Sequence, residues 1–238
     1  MVATKGAGPK IVLEAGFKII QGKEADFMAS QAKMVPVAMQ QDGFGAVYGG
    51  PILNSPWLYF GVRFDSEEQM DAWHLHPRHQ AVQKSAYAKW WTDVYLRKWI
   101  EPASGQASCD RLMCETRLFL DAPLRDEQLK IVEETLAGLT AFGAKPFETH
   151  TGEFERQPYQ FVGPVEIAPA IEKVIYLLIT HWSSDDQLDA WKISDSYCAL
   201  QGLGEVSSEV FAALKETRPR DNLRDDKLQR DWRRESSN

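Results

Sequence analysis

The sequence predicts an α+β fold in which one structural unit occurs twice along the chain. Residues 64–83 read FDSEEQMDAWHLHPRHQAVQ, and residues 182–201 read WSSDDQLDAWKISDSYCALQ. The two segments align without a gap at a spacing of 118 residues, and both contain the triplet Asp-Ala-Trp, which ends at Trp73 and at Trp191. Self-similarity at a fixed spacing indicates a repeated supersecondary unit. Two units of roughly 100 residues each have the size of ordinary domains.

The composition is typical of a soluble globular protein and disfavours several classes of partner. The chain has 238 residues, of which 44% are hydrophobic and 26% charged, with a formal net charge of −7. An acidic balance disfavours nonspecific nucleic-acid binding, which needs a basic face. The first residues carry no apolar signal segment, and no apolar run approaches the roughly 20 residues of a membrane span. Three sparse cysteines favour reduced thiols, so we expect a cytoplasmic protein without nucleic-acid or membrane partners.

The first half of the first unit is predicted as strand, helix, strand and strand. Alternating apolar residues predict a strand over 11–20, and residues 23–41 follow as a helix. Pro36 is expected to kink that helix or to split it in two, because proline removes a helical hydrogen bond. Glycines at 43 and 45 end the helix and start a second strand through Tyr48, and a third strand covers 57–64.

The second half of the unit adds helices and a final strand. Ser66 is a helix cap, and acidic residues after it suit the positive end of the helix dipole. Pro77 is a plausible first residue of another helix that runs to about Trp90. A fourth strand covers 92–100. The order β-α-β-β-α-β is that of a ferredoxin-like module.

The second unit repeats this order with one longer segment. Its predicted elements are a strand at 112–120, a helix at 125–142, a strand from Phe147, a strand at 174–182, a broken helix at 184–202 and a last strand near 209–214. Residues 147–161 exceed their counterpart and predict a protruding hairpin or loop. We therefore divide the chain into a first module (1–104), a second module (105–216) and a charged tail (217–238).

The third strand of the first module has two apolar faces, which predicts how the modules associate. Alternation places Leu58, Phe60, Val62 and Phe64 on one face, where the helices should cover them. The opposite face, which includes Trp57, Tyr59 and Arg63, is too aromatic to remain in water. Two such faces turned towards each other would form a barrel-like body within one chain.

This arrangement resembles the dimeric α+β barrel superfamily and, within it, the antibiotic biosynthesis monooxygenase type. The resemblance rests on the module order and on a set of spaced residues: Phe64-Asp-Ser-Glu-Glu, Trp73, His76-Pro77-Arg78-His79, Gln83 and the segment from Trp91 to Tyr95. Members of that family are usually homodimers of one module, and this chain resembles a fused pair. The resemblance implies a monomer with a pseudo-dimeric fold or a homodimer, and a small-molecule substrate.

His79 is the leading catalytic candidate. Helical geometry places it on one inward face with Val82, Gln83, Ala86 and Trp90. An imidazole at such a place can act as a general base near neutral pH. The alternative is a buried histidine that hydrogen-bonds to a backbone carbonyl. The second module has Tyr197 at the equivalent position, so a site would exist in the first module only.

The hypothesis adds groups that hold the oxyanion formed when His79 removes a proton. Arg63, Tyr59 and Tyr95 are the candidates, since a cation or hydroxyl donor stabilises developing negative charge. The expected substrate-binding residues in the space between the two sheets are Trp57, Trp73, His76, Asp93, Arg97 and His181. Two alternatives stay open: Trp73 and Trp191 as core packing, and Arg63 or Arg97 in a structural ion pair with Asp93 or Glu14.

The leading prediction is a cofactor-independent monooxygenase, or an isomerase or cyclase of the same fold, that acts on an aromatic or enolisable substrate. Three histidines, His74, His76 and His79, lie close together, but no cysteine accompanies them, so no metal is predicted. The haem-degrading branch of the family implies an iron-binding histidine about ten residues after the tryptophan. Gln83 and Lys84 occupy these positions, which is a departure from that branch. Haem binding or breakdown is kept as an alternative function. A noncatalytic binding or assembly protein is the third reading.

Overall fold

The computed structural model describes residues 10–86, 89–102, 111–145, 147–148, 154–155 and 158–213. The predicted module boundary near 104 and the charged tail 217–238 lie outside these residues. The first module contains β1 (Ile11–Ile19), α1 (Glu24–Ala38), β2 (Phe44–Pro51), β3 (Trp57–Phe64), α2 (Glu67–His74), α3 (Pro77–Ala86) and β4 (Trp91–Ile100). This is the predicted β-α-β-β-α-β order, with the second helix in two pieces.

The second module repeats the order with additional short strands. It contains β5 (Leu112–Leu120), α4 (Asp126–Ala137), β6 (Phe147–Glu148), β7 (Phe154–Glu155), β8 (Tyr159–Val162), β9 (Glu166–Ala168), β10 (Val174–Trp182), α5 (Asp185–Lys192), α6 (Asp195–Gln201) and β11 (Glu205–Ala213), with a 3-10 turn at Leu139–Phe142 after α4. No helix among the described residues is long and apolar enough to cross a membrane.

Two of the expected elements are displaced. The strand predicted from Phe147 is only half of a two-stranded hairpin formed by β6 and β7, and the main-sheet strand is β8. The reason is burial on both faces, since Phe161 packs in the helix-side core and Val162 in the barrel-side core. The last strand begins at Glu205 rather than near residue 209, because its polar first half still pairs fully with β5.

The strands form one nine-stranded antiparallel sheet in the order β8-β10-β5-β11-β4-β1-β3-β2-β9. Each module contributes its strands in the same order, with the fourth strand next to the first, then the third, then the second. The fourth strands meet where Ile100 pairs with Ala212 and Trp99 with Ala213. The two modules therefore share a single sheet, which confirms the duplicated ferredoxin-like fold.

The second strands meet at the other side and close the sheet into a barrel. Ile52 forms a bridge with Val162, and the Gly163 amide donates to the Pro51 carbonyl at 3.0 Å. The short strand β9 then runs back along β2 and pairs with its residues 47–49. As predicted, the helices cover the outer face of the sheet, and the aromatic faces of the two modules turn inward.

The residues that repeat between the modules hold the same local structure in both. Ser66 and Ser184 each cap a helix by accepting the amide hydrogen of the glutamine three residues later. Trp73 and Trp191 are 5% and 0% exposed and anchor those helices on the sheet. Pro36 lies inside α1, which continues as one helix and does not split. The residues shared by the two modules therefore serve helix capping and core packing.

Glycine at position 61 allows a tyrosine ring to lie flat against the inner face of the sheet. Gly61 pairs with Tyr48 across β2 and β3, and a Cβ at Gly61 would stand 2.2 Å from the Tyr48 ring. Tyr48 is 1% exposed and hydrogen-bonds inside the barrel, so it has little room to move.

We expect Gly61→Ala to lower the free energy of unfolding by about 1–3 kcal/mol through overpacking. Urea unfolding followed by tryptophan fluorescence measures the change. Gly45→Ala is the matched control on the same sheet, because its nearest neighbour would be the Arg63 Cβ at 3.4 Å. Equal stabilities of the two variants would contradict the assigned contact.

Candidate functional site

A cavity of about 130 Å³ lies between the helices and the sheet of the first module. Its walls are apolar side chains from α1 and from β1 to β4, and Trp73 and Trp91 are the largest of them. Four polar side chains reach it: Gln31, His74, His79 and Gln83. An apolar cavity with a few convergent polar groups is the usual form of a small-molecule site.

His79 is held at the cavity wall by its neighbours on α2 and α3. Its ring stacks on the Trp73 indole, with centroids 4.4 Å apart and planes inclined by 12°. The His79 Nε2 lies 3.4 Å from the Gln83 Nε2, one helical turn away. Its Nδ1 is buried and has no hydrogen-bond partner within the described part of the chain. The predicted inward face of α3 is thereby confirmed.

The surroundings of His79 keep its imidazole neutral. Burial lowers the pKa of His79 to about 3, and the neighbouring His74 adds to the shift. The Trp73 backbone opposes the shift without reversing it. Burial likewise lowers the pKa of His74 to about 4. At neutral pH both rings offer a lone pair and one N–H hydrogen to the site.

The second module fills the equivalent space with larger side chains. Trp182 and Tyr197 stand where the first module has Phe64 and His79. Both pack on Trp191, with ring centroids at 5.6 and 4.9 Å, and the Tyr197 hydroxyl lies 2.8 Å from the Ser208 Oγ. His79 lines the cavity of the first module, whereas the ring at the equivalent position of the second module packs on Trp191.

The barrel interior contains a buried network of charges around Glu115. This carboxylate is fully buried, accepts hydrogen bonds from Tyr48 and Tyr59, and forms ion pairs with Arg63 and Arg117. Both guanidinium groups also bind Glu209 at 2.7 Å. Burial is the main reason that the pKa of Tyr59 is raised, so its hydroxyl remains a donor.

A second network surrounds Glu14 at the corresponding place on β1. The Trp99 Nε1 donates to the carboxylate at 2.7 Å, His181 Nε2 lies at 3.5 Å and Arg97 Nη1 at 4.0 Å. Burial raises the pKa of Glu14, but His181, Arg97 and Trp99 outweigh that effect and leave the pKa below its ordinary value. These side chains bind one another in the barrel interior, where substrate was expected to bind.

The predicted site residues consequently fall into two groups on opposite faces of the sheet. His79 and Trp73 line the cavity under the helices. The barrel interior holds Trp57, Tyr59, Arg63, Tyr95, Arg97 and His181. The joint site between the two sheets is therefore a correction: alternation along β3 separates Arg63 from Phe60 and Val62, which face the cavity. The alternative of a structural ion pair for Arg63 agrees with the geometry.

Three further residues complete the account. The His76 Nδ1 accepts the Arg78 amide hydrogen at 3.3 Å at the start of α3, and His76 is not among the residues that line the cavity. The side chain of Asp93 lies outside what the structure describes. From the sequence, His74 is considered only as a metal ligand, and the structure adds it to the residues that line the cavity.

Metal binding by the three neighbouring histidines finds no support in the geometry. The His79 ring stacks with His74 at 5.8 Å and with Trp73, so the rings lie parallel. Among the residues that the structure describes, no three His, Cys, Asp or Glu side chains are placed to hold a metal ion.

Comparison with known proteins gives similarity at the level of the fold. No family profile and no curated protein matches the sequence. The structure of an aldoxime dehydratase with butyraldoxime aligns with a TM-score of 0.49 and 12% identity, over 88% of this chain and 81% of that one.

Two further solved structures also align over most of this chain at low sequence identity. An anthrone oxidase-like protein aligns with a TM-score of 0.36 and 13% identity, over 87% and 91% of the two chains. A ferredoxin-fold protein from Listeria monocytogenes, described as related to antibiotic biosynthesis monooxygenases, gives 0.30 and 11%, over 85% and 95%. Scores below 0.5 transfer no activity, so the fold assignment rests on the strand order. The chain has the fold of a dimeric α+β barrel, fused into one polypeptide.

We expect Arg63→Met to destabilise the protein by about 3–5 kcal/mol, because it leaves Glu115 and Glu209 short of a buried cation. Chemical denaturation measures the loss. Lys173→Met is the control, since Lys173 pairs with Asp121 at the surface, where water screens the pair, and its loss should change stability far less. Comparable effects of the two substitutions would contradict a cohesive role for Arg63.

The lowered pKa of His79 predicts an acid-dependent loss of stability. In the unfolded chain the His79 imidazole is protonated near pH 6.5, whereas in the folded protein it is protonated only near pH 3. Stability therefore falls as the pH drops through this window. Between pH 7.5 and 5 the contribution is about 2 kcal/mol. His79→Phe keeps a ring on Trp73, and its acid-induced loss in urea unfolding should be smaller by that amount. An unchanged pH dependence would contradict a neutral buried His79.

Proposed function

We propose that the chain is a cofactor-independent monooxygenase that acts on a single-ring aromatic substrate in the first-module cavity. The observation that carries this proposal is a neutral histidine in the wall of an apolar cavity of the first module, at a position where the second module has Tyr197. The expected place of the reaction moves from the barrel interior to the space under α1, α2 and α3.

The size and walls of the cavity favour one aromatic ring. Apolar cavities of roughly 150 Å³ bind benzene-sized molecules. The cavity here measures about 130 Å³, and the rings of Phe60, Trp73 and Trp91 are among its walls. Aromatic rings associate in stacked and edge-on arrangements. A phenol satisfies both requirements, because its ring fits the walls and its hydroxyl can meet His79.

The chemistry begins with transfer of the phenol proton to His79. An isolated imidazolium is disfavoured in this cavity, which is what the pKa of about 3 expresses. A phenolate formed next to the ring compensates for that cost, because opposite charges attract strongly where water is excluded. The base therefore acts when substrate is present and stays neutral when the cavity is empty.

Oxygen then reacts with the electron-rich ring carbon of the phenolate. The carbon–oxygen bond gives a peroxide, which loses water to leave a carbonyl. The substrate loses two hydrogen atoms and gains one oxygen atom, and the second atom of O₂ leaves in water. The residues of the chain bind the ring, hold its hydroxyl and move its proton.

Haem does not fit the cavity. Its macrocycle contains four pyrrole rings, and a space of about 130 Å³ has room for approximately one ring. Gln83 lines the wall at the position where the resemblance implied an iron ligand. We therefore derive no step through haem.

We expect the protein to bind phenol more tightly than toluene by roughly fivefold, the worth of one hydrogen bond of about 1 kcal/mol. Isothermal titration calorimetry measures both affinities. His79→Leu should abolish the preference while it keeps an apolar wall. Oxygen uptake with phenol and hydroquinone, measured with an electrode, should also disappear in this variant.

Tyr197→Phe is the matched control, because it changes the equivalent position of the second module and keeps the ring on Trp191. This variant should retain both the preference for phenol and the oxygen uptake. Equal affinity of the unaltered protein for phenol and toluene would overturn the assignment of His79. Binding without oxygen uptake by any single-ring phenol would overturn the oxygenase reaction.

A further inference from the structure

Gln83 is a polar side chain that the reaction described above does not yet use. It lies four residues after His79 on α3, and both side chains line the cavity. Its Nε2 is 3.4 Å from the His79 Nε2. A carboxamide nitrogen can only donate, so the ring nitrogen that faces it has to accept. The hydrogen atom of the neutral imidazole then resides on Nδ1.

The other nitrogen of the His79 ring makes no competing contact. The Nδ1 atom is buried and has no hydrogen-bond partner among the described residues. The Trp73 backbone interacts favourably with a protonated ring. In proteins the hydrogen bond made by one ring nitrogen fixes which of the two carries the hydrogen. The contact with Gln83 therefore favours a lone pair on Nε2.

We propose that Gln83 is the positioning residue of His79: its carboxamide selects the Nδ1–H tautomer and keeps the Nε2 lone pair available beside the cavity. This inference rests on the proposed role of His79 as the base. Without Gln83 both tautomers would be populated, and the ring would meet the substrate hydroxyl with an N–H group for part of the time.

The Gln83 carboxamide also forms a hydrogen bond to the substrate once the substrate is bound. A phenol hydroxyl that donates to His79 Nε2 takes the place of the amide group. The amide then donates to the phenol oxygen. When the proton moves from that oxygen to Nε2, the resulting phenolate accepts hydrogen bonds from both His79 and Gln83. The first module thus supplies its own oxyanion donors, a role that Arg63, Tyr59 and Tyr95 cannot fill from the opposite face of the sheet.

The tautomer can be observed directly by NMR of protein labelled with ¹⁵N in its histidines. The His79 signals are assigned by their loss in His79→Phe. At pH 7.5 the unaltered protein should show the Nδ1–H form. Gln83→Leu should lose this preference, and amide spectra establish that the variant is folded. Gln83→Glu places a carboxylate, which only accepts, next to Nε2, so the hydrogen should shift to Nε2 or the ring should become protonated.

Gln201→Glu is the matched control, since Gln201 occupies the equivalent position in the second module, and it should leave the His79 signals unchanged. An Nε2–H form in the unaltered protein, or the same tautomer in Gln83→Glu, would overturn the positioning role. Addition of phenol tests the other proposal separately. If the tautomers respond to Gln83 as expected but phenol does not shift the His79 signals, the positioning role stands and the proposed function falls.

Discussion

Two carboxylates buried inside the barrel, Glu14 and Glu115, are each approached by a basic side chain from the other module. His181 of the second module faces Glu14, and Arg63 of the first module binds Glu115. An unpaired charge in such a place would cost several kcal/mol. The modules therefore cannot separate without exposing both an aromatic interior and unmatched charges. Because these ion pairs join the two modules, the inner faces of the sheet stay together and the helices lie on the outside.

The cohesion of the barrel determines where a ligand can bind. The side chains with the strongest charges are committed to one another between the modules, and the tyrosines that join them keep raised pKa values and act as donors. The helix-covered faces of the sheet do not take part in these ion pairs between the modules. There the two copies have diverged, since Tyr197 belongs to the core of the second module while His79 lines a cavity in the first.

The sequence predicts most of the fold because its signals are local and occur twice. Alternation locates β3 and β10 at their observed ends, and Ser66 and Ser184 cap the helices that follow them. The boundary of β11 and the identity of β8 are harder to predict. Both strands gain their place from pairing, β11 with the distant β5 and β8 with β10, and the hairpin before β8 also contains phenylalanines, at Phe147 and Phe154.

The site was predictable only in part, for a reason that lies in strand geometry. A period of two shows that Arg63 and Phe60 belong to different faces, but both faces of this sheet are buried, so the pattern alone does not reveal which one borders a cavity. The charged and aromatic residues of the inner faces led to the prediction of a site in the barrel interior. There they pair with one another. The proton transfer that we propose requires instead a group that can change its charge when substrate arrives, which is why His79, neutral in an apolar wall with Gln83 beside it, is its candidate.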